Sequence, residues 1–386
     1  MASNIIINNF QCQIKSSDKK KLLKYIKKID FNEEPEFLKC YKKNYKYSYD
    51  DKIIKKYKRI KNINVIGMGG SSLGTKAIYS FLSNKIKKKI KFFENLKIKN
   101  EKISKGLNII VSKSGNTLET ILNTNKLLNK KNKNIFITEN NNSYLKKLAD
   151  KLKSDVIEHK NFIGGRFSVL SEVGMLPSEL IGLKENKFKQ YNKLIIQKSF
   201  LNNLIHNTLC TFKLLKEKRF NSIILNYDPR SEDLFKWYQQ LISESLGKNS
   251  KGILPFISTM PKDNHSILQL YLSGFKPNFY TFFIVEEKKG IYLNPKFLFD
   301  EFSYLKKKNM FSILNSQKTA TENIFKSKRI PFRSFYIKKR TEETLGELFC
   351  FFTLEVILLS HLLKINPLNQ PEVELVKNET FKILKK

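Results

Sequence analysis

Residues 108–120 read Asn-Ile-Ile-Val-Ser-Lys-Ser-Gly-Asn-Thr-Leu-Glu-Thr, and the character of the chain changes twice within them. Asn108 to Val111 predict a short buried strand bounded by turn residues. Ser112 to Thr117 predict a tight turn, and Leu118 opens an amphipathic helix. A loop between a strand end and a helix start offers free backbone N–H groups and the positive end of the helix dipole. The hydroxyls of Ser112, Ser114 and Thr117 and the ammonium of Lys113 put many donors in a small volume, which suits a phosphate better than a carboxylate. Gly115 can take the positive φ that lets backbone approach a ligand. The same residue types cap helices, so composition alone leaves both a phosphate cradle and an ordinary cap open.

Working outward, a second unit of the same kind lies upstream. Ile63 to Gly67 (INVIG) predict a strand, Gly67 to Gly74 (GMGGSSLG) a glycine-rich turn, and Thr75 to Leu82 a helix. The glycine spacing is not that of the dinucleotide fingerprint, and the Gly-Lys-Ser/Thr of a P-loop is missing. IKFFE (90–94) and NIFIT (134–138) predict further strands with helices between them. This alternation predicts a doubly wound parallel sheet with ligands outside the C-terminal strand ends. Both loops leave such ends and could converge on one phosphate. Gly164-Gly165-Arg166-Phe167-Ser168 follows, where two glycines let the backbone bend so that a guanidinium reaches inward; a surface turn arginine is the plain alternative.

Beyond a helical stretch at 187–216 a second α/β set begins. Strands are expected at SIILNY, GILPFIST, FYTFFIVEE and PFRSFYI, helices at Ser231–Leu246 and Asn264–Leu272, and a polar stretch at Asn315–Lys328. The fold class expected is α/β, with two doubly wound parallel-sheet domains in α-β-α sandwich arrangement and helical extensions at both ends. The divisions are a helical N-terminal extension at 1–58, a first α/β domain at 59–185, a second at 186–343, and C-terminal helices at 344–386 packing on both.

A formal charge of +37 invites a nucleic-acid reading. Against it, 65 of the 72 basic residues are lysine, a residue with AT-rich codons like the abundant Asn and Ile. The lysines are also scattered (Lys85 to Lys91, Lys126 to Lys133) rather than gathered in one basic arm. No nucleic-acid partner is expected. Cys12, Cys40, Cys210 and Cys350 are far apart and show neither disulfide nor zinc spacing, which points to a reducing, cytoplasmic setting. The N-terminal apolar run is too short for a signal peptide. The apolar segment Leu345–Leu363 carries Glu347 and Glu355 and predicts a buried helix, so no membrane partner is expected.

Chemistry could reside elsewhere too. Gln240 and Glu244 share a helix face, and Glu244 could act as a general base or simply pair with Lys248 at i,i+4. His265 sits where Asp263 or Asn264 can cap a helix, and Lys377 is one lysine among many. Taken together these residues describe a two-lobed α/β protein that binds a phosphorylated metabolite.

GMGGSSLG, SKSGNTLET, GGRFSVLS, YQQLISESLGK, DNHSILQLYLSG and QPEVELVK occur in that order between Val65 and Lys377. In this the chain resembles the glucose-6-phosphate isomerase (phosphoglucose isomerase) family of the sugar-isomerase (SIS) fold. The resemblance implies reversible isomerisation of glucose 6-phosphate and fructose 6-phosphate through an enediolate, a step of glycolysis and gluconeogenesis, with no cofactor and no metal. It implies a phosphate cradle of Ser71, Ser112, the Lys113 backbone, Ser114 and Thr117, with Gly70 beside the sugar and Gln240 a substrate contact. It implies Glu244 as the base, Arg166 as stabiliser of the enediolate charge, and Lys377 near the ring oxygen. His265 would act in ring opening, reaching across a homodimer interface. Glu172, Leu368 and Glu372 depart from the family's usual residues. A dual isomerase that also accepts mannose 6-phosphate, and a non-catalytic sugar-phosphate sensor on the same fold, are the alternatives.

Overall fold

A computed structural model describes residues 3–32, 34–96, 105–129, 132–274, 276–287 and 290–386. Met1, Ala2 and two residues of the Lys126–Lys133 run fall outside them. Among the described residues, ten strands make two sheets: β1 (Ile5–Asn8), β2 (Asn62–Ile66), β3 (Lys89–Phe93), β4 (Leu107–Val111), β5 (Lys133–Thr138), β6 (Asp155–Glu158), β7 (Asn221–Asn226), β8 (Leu254–Thr259), β9 (Asn278–Val285) and β10 (Phe332–Ile337). The first sheet runs β3-β2-β4-β5-β6 and is parallel throughout. The second runs β1-β10-β9-β7-β8 and is parallel except for β1.

The two-sheet α/β reading therefore holds, with β1, β6 and the helix Met310–Ser327 as elements the sequence reading missed. β1 lies within the stretch 1–58 expected to be a helical extension. Instead it pairs antiparallel with β10 at the edge of the second sheet, Ile5 opposite Ile337. The helix expected over Asn264–Leu272 is a short 3-10 turn, Lys262–Asn264, followed by the helix Leu268–Ser273.

β4 is buried at every position, as a central strand covered on both faces must be. After β2 the chain moves outward to β3, then returns past β2 to β4. The loops after β2 and β4 therefore diverge to opposite faces and leave a crevice at the C-terminal strand ends. The second sheet reverses in the same way between β7 and β9, where the buried Arg340 and Asp228 pair beside the strand ends. Arg340 Nη2 reaches Asp228 Oδ1 at 2.7 Å and Glu287 Oε1 at 3.0 Å.

The helix Glu342–Leu363 is long and apolar enough to cross a membrane, yet 83% of its most apolar window is buried inside the chain. Its Glu355 meets Arg333 of β10 in a fully buried pair, Nη2 to Oε2 at 3.0 Å, and its Glu347 accepts from Ser3 Oγ at 2.7 Å.

The expectation of isolated thiols is corrected. Cys12 and Cys210 form a disulfide across a sequence separation of 198, so the reading of a reducing compartment loses that support. Cys40 and Cys350 are free and buried. Spacing could not show the pair, because it is made by the N-terminal segment lying on the helix Lys198–Lys216.

Candidate active site

The two loops named from sequence leave neighbouring strands β2 and β4. Behind Ser112, the turn closes on itself: the Ser112 and Thr117 hydroxyls are 2.9 Å apart, and Gly115 N–H donates to Ser112 O at 3.2 Å. Gly115 has φ +67°, and a Cβ there would lie 2.1 Å from Ser143 Oγ, so both conformation and space require glycine. Ser114 Oγ accepts from Asn116 N–H at 3.3 Å. The Lys113 ammonium turns aside onto Asn161 O at 2.6 Å. Ser71 lies on the facing 3-10 turn Gly69–Ser71.

The Gly-Gly-Arg-Phe-Ser segment is the 3-10 turn Gly165–Leu170, and it packs directly on the first glycine-rich loop. A Cβ on Gly70 would sit 2.1 Å from Gly165 C and 2.7 Å from Arg166 N. Any side chain at Gly70 would push the loop away from Arg166. Ser168 Oγ ties the two together, donating to Gly165 O at 2.7 Å and lying 3.2 Å from Gly70 O.

Arg166 is 2% exposed and uses its whole fork. Nε donates to Ser245 Oγ at 2.9 Å, Nη1 to Glu244 Oε2 at 2.9 Å and to Gln370 Oε1 at 2.7 Å. Nη2 donates to the carbonyls of Pro367 and Asn369. Burial lowers its pKa, and the Glu244 carboxylate opposes that shift. One guanidinium thus joins the loops of the first sheet, the helix Glu232–Leu246 and the segment before the last helix. A lysine could not span these acceptors.

Glu244 and Gln240 share the face expected of an i,i+4 pair, with Gln240 Nε2 donating to Glu244 Oε1 at 2.8 Å. The surface pair of Glu244 with Lys248 does not form. Lys248 donates instead to the carbonyls of Ser245 and Asn366, and Arg166 takes the carboxylate. Burial first, then the Arg166 charge, pushes the Lys248 pKa down to about 8. Gln240 Oε1 is buried with no partner among the described residues, an acceptor available to a substrate hydroxyl. The Glu244 side chain keeps 30% of its surface exposed, so it can be reached from solvent.

Arg166, Glu244, Gln240 and Gly70 are therefore brought together, and the turn of Ser112, Ser114 and Thr117 lies at the neighbouring strand end. His265 and Lys377 are not joined to this cluster. His265 is exposed on the turn after Lys262–Asn264. Lys377 is exposed on the helix Pro371–Leu384 and holds Glu374 at 2.7 Å. The sequence reading gave no role to Ser245 and Gln370 and took Lys248 only as a possible partner of Glu244. Their signals were adjacency to Glu244 and, for Gln370, the opening of the QPEVELVK stretch.

The departures from the family pattern are accommodated locally. Glu172 is buried but accepts from Tyr45 Oη at 2.9 Å and from Ser48 N–H at 3.0 Å. Near Leu368 it is backbone carbonyls that meet Arg166, so the exposed Leu368 side chain is not asked to make that contact. Glu372 is exposed in the first turn of the last helix.

His159, next to β6, is 2% exposed with Nδ1 at 3.1 Å from Lys160 O. Burial pushes its pKa down to about 4. Between pH ~6.5 and 4 the unfolded chain binds a proton that the folded chain refuses, so stability falls as pH falls through this window. The full loss is on the order of 3 kcal/mol. Urea denaturation at pH 7 and at pH 4.5 is expected to show a smaller pH dependence for His159→Gln than for the parent chain; equal slopes would remove His159 as a cause.

The profile of the family described as phosphoglucose isomerase matches residues 49–257. The glucose-6-phosphate isomerase of Methanocaldococcus jannaschii is 32% identical, covering 87% of this chain and 88% of that protein. The glucose-6-phosphate isomerase of Mycoplasmopsis pulmonis is 32% identical over 87% of each chain. Among solved structures, a hypothetical protein from Thermus thermophilus aligns with a TM-score of 0.79 at 22% identity, covering 95% of each chain. A glucose-6-phosphate isomerase from Chlamydia trachomatis aligns at 0.69 and 18% identity, covering 98% of this chain and 80% of that one. These two likenesses establish the fold. With a profile matching more than half of its length and relatives above 30% identity covered nearly end to end, the chain belongs to the phosphoglucose isomerase family.

Proposed function

We propose that the chain interconverts glucose 6-phosphate and fructose 6-phosphate, with Glu244 carrying the proton between carbons 2 and 1. The observation that carries this reading is the Arg166–Glu244–Gln240 cluster beside the serine-rich turn after β4. An aldose–ketose exchange needs one base that removes a proton and returns it to the neighbouring carbon. It also needs fixed positive charge where the oxyanion of the enediolate develops. Glu244 is the accessible carboxylate, and Arg166 is a guanidinium whose position is over-determined by its acceptors. Holding the remote phosphate in the Ser112–Thr117 turn, with Ser71 opposite, keeps the reacting carbons near the base. A sensor would need the cradle but not the base.

His265 and Lys377 enter this reading through assembly. The helix Pro371–Leu384 buries none of its residues and exposes Val373, Leu375, Val376, Phe381, Ile383 and Leu384. So apolar an exposed helix supports a homodimer, in which His265 would be supplied across the interface. Lys377 is seven residues beyond the anchored Gln370, roughly 10 Å along a helix axis, and packing of this helix would have to bring it nearer the sugar ring.

The test is isomerisation of fructose 6-phosphate read by a coupled glucose-6-phosphate dehydrogenase, with mannose 6-phosphate as a second substrate. Activity on glucose and fructose phosphates is expected; none in a folded chain that still binds fructose 6-phosphate would favour the sensor. The double variant Ser114→Ala with Thr117→Ala is expected to raise KM for fructose 6-phosphate about 10- to 100-fold, at ~1–1.5 kcal/mol for each hydrogen bond lost. An unchanged KM would remove those hydroxyls from the cradle.

A further inference from the structure

Three sulfur and nitrogen donors meet at residues given no catalytic or binding role above. Cys12 Sγ, His206 Nε2 and Cys210 Sγ lie within 4.8 Å of one another. The chain has four cysteines and four histidines in all, so a meeting of three of these eight is a marked concentration. The sequence reading found no metal-ligand cluster, because Cys12 is remote in the chain.

The geometry of the parts is favourable. His206 and Cys210 are i and i+4 on the helix Lys198–Lys216 and so share a face, with Nε2 3.3 Å from Cys210 Sγ. Cys12 comes from the segment between β1 and the first helix. That segment is held against the long helix without help from sulfur. Asn9 Nδ2 donates to Asn203 Oδ1 at 2.9 Å, and Asn207 Nδ2 donates to Asn9 Oδ1 at 2.5 Å. Cys12 and His206 are only partly buried. A cavity of about 340 Å³, lined by Asn9, Lys19, Lys20 and His206 among others, opens beside the imidazole. It gives a path from solvent to the His206 side chain.

We propose that, once the disulfide is reduced, Cys12, His206 and Cys210 bind one thiophilic divalent metal ion of the zinc class, so that disulfide and metal are alternative states of one site. Two thiolates and an imidazole suit zinc. Two thiolates also neutralise a divalent ion, which matters beside Lys19 and Lys20 and where no carboxylate among the described residues lines the cavity. A hard, oxygen-preferring cation finds no suitable ligand set in these three side chains. The chemistry balances with a dithiol reductant. It gives two electrons and two protons to the S–S bond and ends as its own disulfide, leaving two thiols. Metal binding then releases those two protons to solvent; His206 Nε2, which donates to Phe10 O at 2.8 Å in the disulfide state, gives up that hydrogen bond and coordinates as the neutral imidazole with its proton moved to Nδ1. The N-terminal segment and the long helix keep their positions; Cys12 makes the adjustment by turning its side chain from bonding distance to ligand spacing.

The experiment uses the full chain, reduced with excess dithiol, freed of reductant under anaerobic conditions and titrated with Zn²⁺. Co²⁺ serves as the spectroscopic probe, through its thiolate charge-transfer band. One equivalent of Zn²⁺ and a charge-transfer band are expected for the reduced chain, with neither for the oxidised chain. Cys12→Ser and His206→Gln are each expected to weaken Zn²⁺ binding by at least about 100-fold, while Cys40→Ser leaves it unchanged. Retained fructose 6-phosphate isomerisation shows that a variant is folded, and if one of the two fails to fold the other decides. The proposal is overturned if the reduced chain binds no stoichiometric Zn²⁺, if Cys12→Ser binds it as tightly as the parent, or if the bond resists reduction in the folded chain.

Discussion

Glu244→Gln is expected to lower kcat for fructose 6-phosphate by about 10³-fold, within the ~10²–10⁴ typical of a positioned general base, while changing substrate affinity by less than about threefold. Glutamine keeps the shape and one acceptor for Arg166, and Gln240 can turn its unpartnered Oε1 to the new amide N–H, but glutamine cannot take a proton from carbon. Arg166 would remain seated, because Ser245, Gln370, Pro367 and Asn369 still accept from it. The variant should therefore fold normally, and loss of turnover would report on the base itself. Single-turnover kinetics together with direct binding of fructose 6-phosphate separate the two effects. Parent-like turnover would show that another group moves the proton.

Glu355→Leu is expected to cost about 3–5 kcal/mol of folding stability, the range seen when one member of a buried ion pair is removed. Arg333 and Glu355 have side chains 2% and 1% exposed. The guanidinium also donates from Nε to Thr281 Oγ1 at 3.1 Å, a neutral acceptor that cannot replace a carboxylate. Around it stand the rings of Phe10, Phe335 and Phe351. The single change strands a positive charge among aromatic rings. The double change Arg333→Met with Glu355→Leu removes both charges and is expected to recover most of the loss, since apolar replacement of a buried pair is often neutral. Urea denaturation of the two variants checks both statements. A single variant within about 1 kcal/mol of the parent would mean that water reaches Arg333.

Scarce arginine turns out to be a guide to where a planar fork is needed. Arg166, Arg333 and Arg340 are all buried and all hold carboxylates. Lysine, carrying most of the +37, lies largely on the surface, as expected of a strongly hydrated point charge. The two crevices show the same division. Arg340 and Asp228 meet at the one between β7 and β9, whereas the turns Gly69–Ser71 and Ser112–Thr117 lie at the one between β2 and β4.

Features encoded within a few residues were legible in the chain alone. β4, the Ser112–Thr117 turn and the helix Leu118–Leu127 follow from a buried run, a glycine able to take positive φ, and hydroxyls placed to close the turn. The Gln240–Glu244 face follows from helical periodicity. The alternation of strands and helices was enough to give two α/β sheets. Packing decided the long-range choices. Glu244 had Lys248 one turn away, but Lys248 satisfies carbonyls and Arg166, 78 residues earlier, takes the carboxylate. β1 was hidden because four residues at a sheet edge carry little periodic signal, and its partner β10 lies more than three hundred residues later. Cys12 and Cys210 could not be paired by spacing. Each of these contacts depends on where whole elements pack, and burial, which sets the energy of an ion pair or the reach of a thiol, exists only once they have packed.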